Sequence, residues 1–216
     1  MQQLVEARVV RPEHCHLIRG AGVDPSVYRP TPEPDGLPIV MLASRMIWTK
    51  GIGDFVDAAR ELHSRGLRAR FVLVGAEDPQ DPDGIPRSQL DAWHKQGIVQ
   101  WWGYCQRMPE VLAKAAVVVL PSLGGEGLPR VLLEAAACGK PLVATQVRGC
   151  DEIVHDEENG YLVDTRNPTA LAAAIQRMLF DPDGRARMGR AGRRIVLRGF
   201  TADHVAGQML DVYHQV

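Results

Sequence analysis

The feature that most limits what this chain can fold into is a regular alternation of short apolar runs with amphipathic segments. "LPIVMLAS" (37–44), "RFVLVG" (70–75), "IVQWWG" (98–103), "VVVLP" (117–121) and "PLVAT" (141–145) are strand-length and apolar on both faces. Between them lie helical patterns at 51–66, 87–97, 108–115 and 129–139, and three more follow near 167–180, 184–197 and 202–214. Buried strands separated by helices demand a parallel sheet covered on both sides, a Rossmann-like α/β domain. The expectation is one such domain over 37–216, with residues 1–36 as an approach segment. That stretch carries five prolines and reads as a connection arriving from something upstream.

Few function classes survive the composition. The formal net charge of −1 argues against a nucleic-acid partner held by bulk electrostatics. No run approaches the roughly 18 apolar residues that span a bilayer, and the amino terminus lacks a secretory pattern, so a cytoplasmic location with at most peripheral membrane contact is expected. Cys15, Cys105, Cys138 and Cys150 form no CxxC pair and read as free thiols. "HCH" (14–16) is a weak metal candidate without supporting ligands. The first strand is not followed by G-x-G-x-x-G, which disfavours a dehydrogenase, and "CGKP" lacks the rest of a P-loop.

The stretch "GGEGLPRVLLEAAACGKP" (124–141) concentrates the chemistry. Pro129 suits the first helical position and Gly139 the position just past the helix end. The helix therefore starts at the carboxyl edge of the sheet, where its free N–H groups suit a phosphate. Gly124, Gly125 and Gly127 let the backbone approach such a ligand. Glu126 precedes the helix and Glu134 lies about 7–8 Å along it, at 1.5 Å per residue. Two carboxylates flanking a phosphate site are best satisfied by hydroxyls, as on a ribose and a hexose. "ASRMIWTKG" supplies Arg45 and Lys50 at the same edge to neutralise a diphosphate. Together these describe a nucleotide-sugar.

With those residues in view, the chain resembles the carboxyl-terminal donor domain of the retaining glycosyltransferases of GT-B fold. Glu126 and Glu134 match that family's E-x7-E motif, and Arg45 and Lys50 its R-x4-K motif. The resemblance extends from "RGAGVD" (19–24) through "GCDEIVHDEENGYLV" (149–163) to the terminal helices. It implies Glu126 on the donor sugar, Glu134 on the ribose, and Arg45 with Lys50 on the diphosphate. Backbone amides around Gly127, Leu128, Pro129, Arg130 and Val131 would complete the pocket, with Gly125 in its loop. "WGY" would place Gly103 and Tyr104 at the nucleobase. Glu126, Arg45 and Lys50 are the implied catalytic groups. One branch, adding N-acetylhexosamines to undecaprenyl-diphosphate-linked glycans, is closest in texture. It implies a UDP-sugar donor, a lipid-linked or glycan acceptor seated by an amino-terminal domain, and peripheral association with the inner face of the cytoplasmic membrane. The glycine before Glu126 departs from many relatives, which carry a bulkier residue there.

Three secondary features are expected to be structural. "DPD" (81–83) imitates a metal-binding DxD but sits in the Pro-rich loop "EDPQDPDGIP" and reads as a solvated turn. No metal or cofactor is expected, since the cations and helix end already neutralise a diphosphate. The Arg-rich segment 184–199 reads as a solvated face. Of Trp101 and Trp102, one is expected in the core. Competing functions are a nucleotide-sugar epimerase of similar architecture and a binding module that holds donor without transferring it.

Overall fold

The computed structural model describes residues 11, 15–20 and 22–215; His14 of the "HCH" stretch lies outside them. Six strands form one parallel sheet: β1 (Ile39–Ala43), β2 (Arg70–Val74), β3 (Gln100–Trp101), β4 (Val117–Leu120), β5 (Leu142–Thr145) and β6 (Gly160–Val163). Their order is β3-β2-β1-β4-β5-β6. Ile39 registers with Arg70 on one side of β1, and Val40 with Val117 on the other. Among the described residues, seven α-helices connect or follow them: α1 (Ile52–Ser64), α2 (Arg87–Lys95), α3 (Met108–Ala113), α4 (Arg130–Ala137), α5 (Pro168–Phe180), α6 (Pro182–Gly199) and α7 (Ala202–Gln215).

Alternation along the strands divides the interior into two cores. Val40, Leu42, Leu73, Val117 and Val119 face α1, α2 and α5, meeting Phe55, Leu62, Leu90 and Ile175. Met41, Val72, Val118, Leu120 and Leu142 face α3, α4 and α6, meeting Leu112, Leu132, Leu133 and Val196. Each large aliphatic or aromatic side chain buried this way contributes about 1.5–3 kcal/mol. Phe55 and Phe71 also meet edge to face with centroids 5.9 Å apart, a geometry worth roughly 0.5–1.5 kcal/mol beyond area.

The structure corrects the sequence reading in five places. A sixth strand, β6, pairs with β5; its "GYLV" is only half-buried, so it lacks the two-faced apolar signature. Pro129 is the residue capping α4, one position before its first turn. Neither Trp101 nor Trp102 is core. β3 is an edge strand, and both rings are half-buried under cations: Arg87 lies 5.3 Å from the Trp101 centroid, and Lys114 5.5 Å from that of Trp102.

The Arg-rich helix α6 is not wholly a solvated face either. Arg185 is 8% exposed and pairs with Glu33 at 3.0 Å. Arg193 donates to the carbonyls of Tyr28, Ala137 and Pro25. These two arginines fasten the incoming stretch to the domain, while Val23 is buried and exchanges backbone hydrogen bonds with Phe200 and Ala202. The loop holding "DPD" is likewise anchored: Asp83 accepts the Thr49 N–H at 2.6 Å, and Asp81 accepts from Arg45 at 3.0 Å. A carboxylate that accepts such hydrogen bonds gains more than a solvated one, and they hold Asp83 below the usual carboxylate range.

Candidate active site at the carboxyl edge of the sheet

Between β1 and β4 the strand order reverses direction, which opens a crevice at their carboxyl ends. The loops after these two strands are locked together. Gly51, at φ 71°, caps α1 so near the next loop that a Cβ there would lie 1.8 Å from the Pro121 carbonyl oxygen. Leu123 N–H donates to the Thr49 carbonyl at 2.8 Å. The 3-10 turn Trp48–Lys50 therefore carries Lys50 directly against the glycine-rich loop.

There Lys50 Nζ lies 2.6 Å from Glu126 Oε1 and 2.7 Å from Oε2. Ser122 Oγ donates to the same Oε1, and the buried Thr145 hydroxyl donates to the Ser122 carbonyl at 2.6 Å. Glu126 N–H donates to the Arg148 carbonyl at 2.8 Å. Gly149 seals the loop from behind, since a Cβ there would meet the Gly127 carbonyl oxygen at 1.8 Å. Glu126 is thus held by a cation, a hydroxyl and its own backbone. Hydrogen bonds between ions are about twice as strong as neutral ones.

Glu134, on α4, is 6% exposed. Arg130, one turn earlier, donates to its Oε1 from Nε at 2.7 Å. Burial, and then the Glu134 carboxylate, push the Tyr28 hydroxyl up to about 12, so that phenol stays protonated beside it. Glu134 lines a cavity of about 460 Å³ with Ser44, Arg45, Tyr104, Arg130 and Val131. Arg45 reaches that cavity from β1 while paired with Asp78 at 3.2 Å and Asp81 at 3.0 Å.

A second cavity, also about 460 Å³, lies along the glycine-rich loop and is lined by Gly125, Glu126, Gly127 and Leu128 together with Arg148. The residues singled out from sequence therefore fall into two groups. Arg45, Tyr104, Arg130, Val131 and Glu134 surround one cavity, and Gly125 to Leu128 line the other. Lys50 meets the second group through Glu126. Pro129 caps α4, whose start has no side-chain cap. Gly103 opens instead onto a neighbouring cleft with Trp101, Trp102 and Arg87; the exposed Tyr104 ring borders both spaces.

Sequence reasoning missed Ser122, Tyr28, Arg148 and the two aspartates on Arg45. Ser122 carried a usable signal, a hydroxyl just past a buried strand; Tyr28 carried none. Burial pushes the Cys150 thiol up to about 12, with Glu126 adding to the effect, and Cys138 up to about 11. Both are protonated and inert. Among the described residues, no group of three or more His, Cys, Asp or Glu is placed to hold a metal ion, and no helix is long and apolar enough to cross a membrane.

Comparison with known proteins places the chain in a family. Residues 37–181 match the profile of the family described as glycosyl transferases group 1. The chain is 31% identical over 182 residues to the N,N'-diacetylbacillosaminyl-diphospho-undecaprenol alpha-1,3-N-acetylgalactosaminyltransferase of Campylobacter jejuni, covering 84% of this chain and 46% of that protein. The sucrose-phosphate synthase of Thermosynechococcus elongatus superposes with a TM-score of 0.84 at 30% identity, covering 99% of this chain and 55% of the other. Anabaena Alr3699/HepE, solved in complex with UDP, superposes at 0.86 with 22% identity, covering 100% and 61%. The chain spans about half the length of the relatives it matches.

Proposed function

The chain belongs to the group 1 glycosyl transferases, and from that premise we propose that it is the donor-binding half of a retaining GT-B enzyme. In this reading residues 37–216 bind a UDP-sugar, and residues 1–36 lead in from an amino-terminal acceptor domain. The sugar, an N-acetylhexosamine or a close relative, passes to a lipid-linked or polysaccharide acceptor in bacterial surface-glycan assembly, at the inner face of the cytoplasmic membrane. The domain alone binds donor and transfers little, because a GT-B site closes only between two domains.

The observation that carries this reading is the pairing of two carboxylates with two cavities across one phosphate-sized helix start. Glu134 faces the cavity that holds Arg45 and Tyr104, suited to a ribose and its base. Glu126 faces the other, suited to the sugar. Between them lie the amino end of α4, its first N–H groups free of side-chain caps, and the Lys50 ammonium. As the glycosidic bond breaks, the departing diphosphate gains negative charge, which Arg45, Lys50 and the helix start stabilise without an obligatory metal. The sugar ring becomes cationic, and Glu126 offsets that charge. Attack from the face the diphosphate leaves gives retention. The UDP held by the Anabaena neighbour of the same fold supports the choice of nucleotide.

Titration calorimetry with UDP, GDP, ADP and NAD tests this. UDP is expected to bind tightest; tighter binding of NAD contradicts the assignment.

A further inference from the structure

The cavity along the glycine-rich loop has a charge pattern that a neutral sugar does not explain. It is lined by two carboxylates, Glu126 and Glu152, and two guanidinium groups, Arg19 and Arg148. Glu126 is matched by Lys50 at 2.6 Å, and Glu152 by Arg19 at 3.1 Å. Arg148 has no carboxylate partner among the described residues. One positive charge is therefore left over, exposed, at the wall of the cavity.

Its place there follows from the loop. The Arg148 carbonyl accepts the Glu126 N–H, which puts the two residues side by side. Opposite is Gly125; a Cβ on it would already stand 3.8 Å from Arg148 Cβ. A larger residue at 125 would extend into the space beside the arginine, so glycine leaves that side open. The turn at Gly149, closed against Gly127, fixes Arg148 from the next position.

We propose that Arg148 makes this cavity a subsite for an anionic group, a carboxylate or a phosphate ester, on the substrate handled at Glu126. The inference rests on the donor-binding reading above and adds a substrate class to it. Two sources supply that chemistry: a carboxylate on the donor's sugar, as in the uronic-acid relative of an N-acetylhexosamine, or a phosphate on the acceptor. Guanidinium forks bind either anion in two parallel hydrogen bonds, so the chemistry is shared.

Calorimetry on this domain separates the sources in two matched pairs. The first compares UDP-glucuronate with UDP-glucose; the second compares glucose 1-phosphate with glucose, each with UDP present. In one pair the charged ligand is expected to bind roughly tenfold tighter than its neutral partner, the usual scale of one charge-assisted contact. Arg148→Ala abolishes that preference, and Arg148→Lys keeps part of it. Equal binding of charged and neutral ligands in both pairs overturns the proposal, as does a preference that survives in Arg148→Ala. UDP binding separates the two failures: if UDP still binds, the donor reading stands without the anion subsite, and if the wild type binds no UDP, both fall.

Discussion

Lys50 and Glu126, 76 residues apart in sequence, form a bidentate ion pair at the centre of the site, with Nζ 2.6 and 2.7 Å from the two carboxylate oxygens. The pair ties the loop after β1 to the loop after β4. In the proposed reading a diphosphate at the start of α4 would share Lys50 with Glu126, so leaving group and sugar would be felt through one ammonium. Charge gained by the one and lost by the other would then meet a common partner.

That coupling has a measurable stability. The two side chains are 22% and 15% exposed, so removing Lys50 leaves Glu126 half-buried with only the Ser122 hydroxyl. Lys50→Met is expected to destabilise the domain by about 1–3 kcal/mol. Adding Glu126→Gln should recover part of the loss, because no orphan charge remains. Urea denaturation of the two single variants and the double gives the coupling energy. Additive effects would show that the pair does not hold the loops.

Thiol labelling reports on the proposed nucleotide cavity. Cys105 is half-buried and lines it with Arg45 and Glu134. Cys138 and Cys150 are buried, with their thiols pushed up to about 11 and about 12, and have almost no thiolate at pH 8. Iodoacetamide should modify Cys105 well before either. UDP should slow Cys105 and leave Cys15, far along the incoming stretch, unchanged. Mass spectrometry of the peptides reads both. No protection at Cys105 would put the nucleotide elsewhere.

The incoming stretch is held by a few directed bonds. Arg193→Ala removes the donor to three backbone carbonyls, a loss of about 2–4 kcal/mol if most stay unsatisfied. Tm should fall by about 5–10 °C. Arg194, the next residue, is exposed on the same helix, and Arg194→Ala should stay within about 0.5 kcal/mol of wild type. Similar losses in both would mean that α6 needs its charge rather than these bonds.

What could be read from the sequence, and what could not, divides along physical lines. β1, β4 and β5 are buried on both faces, so their apolar runs announced a parallel sheet before any contact was known. β6 did not, because half its residues are only partly covered. Spacing alone put Glu126, Glu134, Arg45 and Lys50 at one edge, since strand ends and helix starts fix that edge. It could not give their partners. Arg45 meets Asp78 and Asp81, more than thirty positions on, inside a proline-rich loop that reads locally as solvent-facing. Tyr28 reaches Glu134 from a stretch that Arg185, Arg193 and the Val23 backbone fasten to the domain. Such pairings depend on how loops meet, and no local pattern encodes that.

The central claim is that the two glutamates divide the donor between them, and UDP calorimetry on two isosteric variants tests it most directly. Glu134→Gln should weaken UDP binding by roughly tenfold, since it removes a charged acceptor from the ribose side. Glu126→Gln should not weaken UDP binding, because its proposed partner is the sugar that UDP lacks and the charge it removes competes with the diphosphate for Lys50. Equal losses of UDP affinity in both variants would contradict the account.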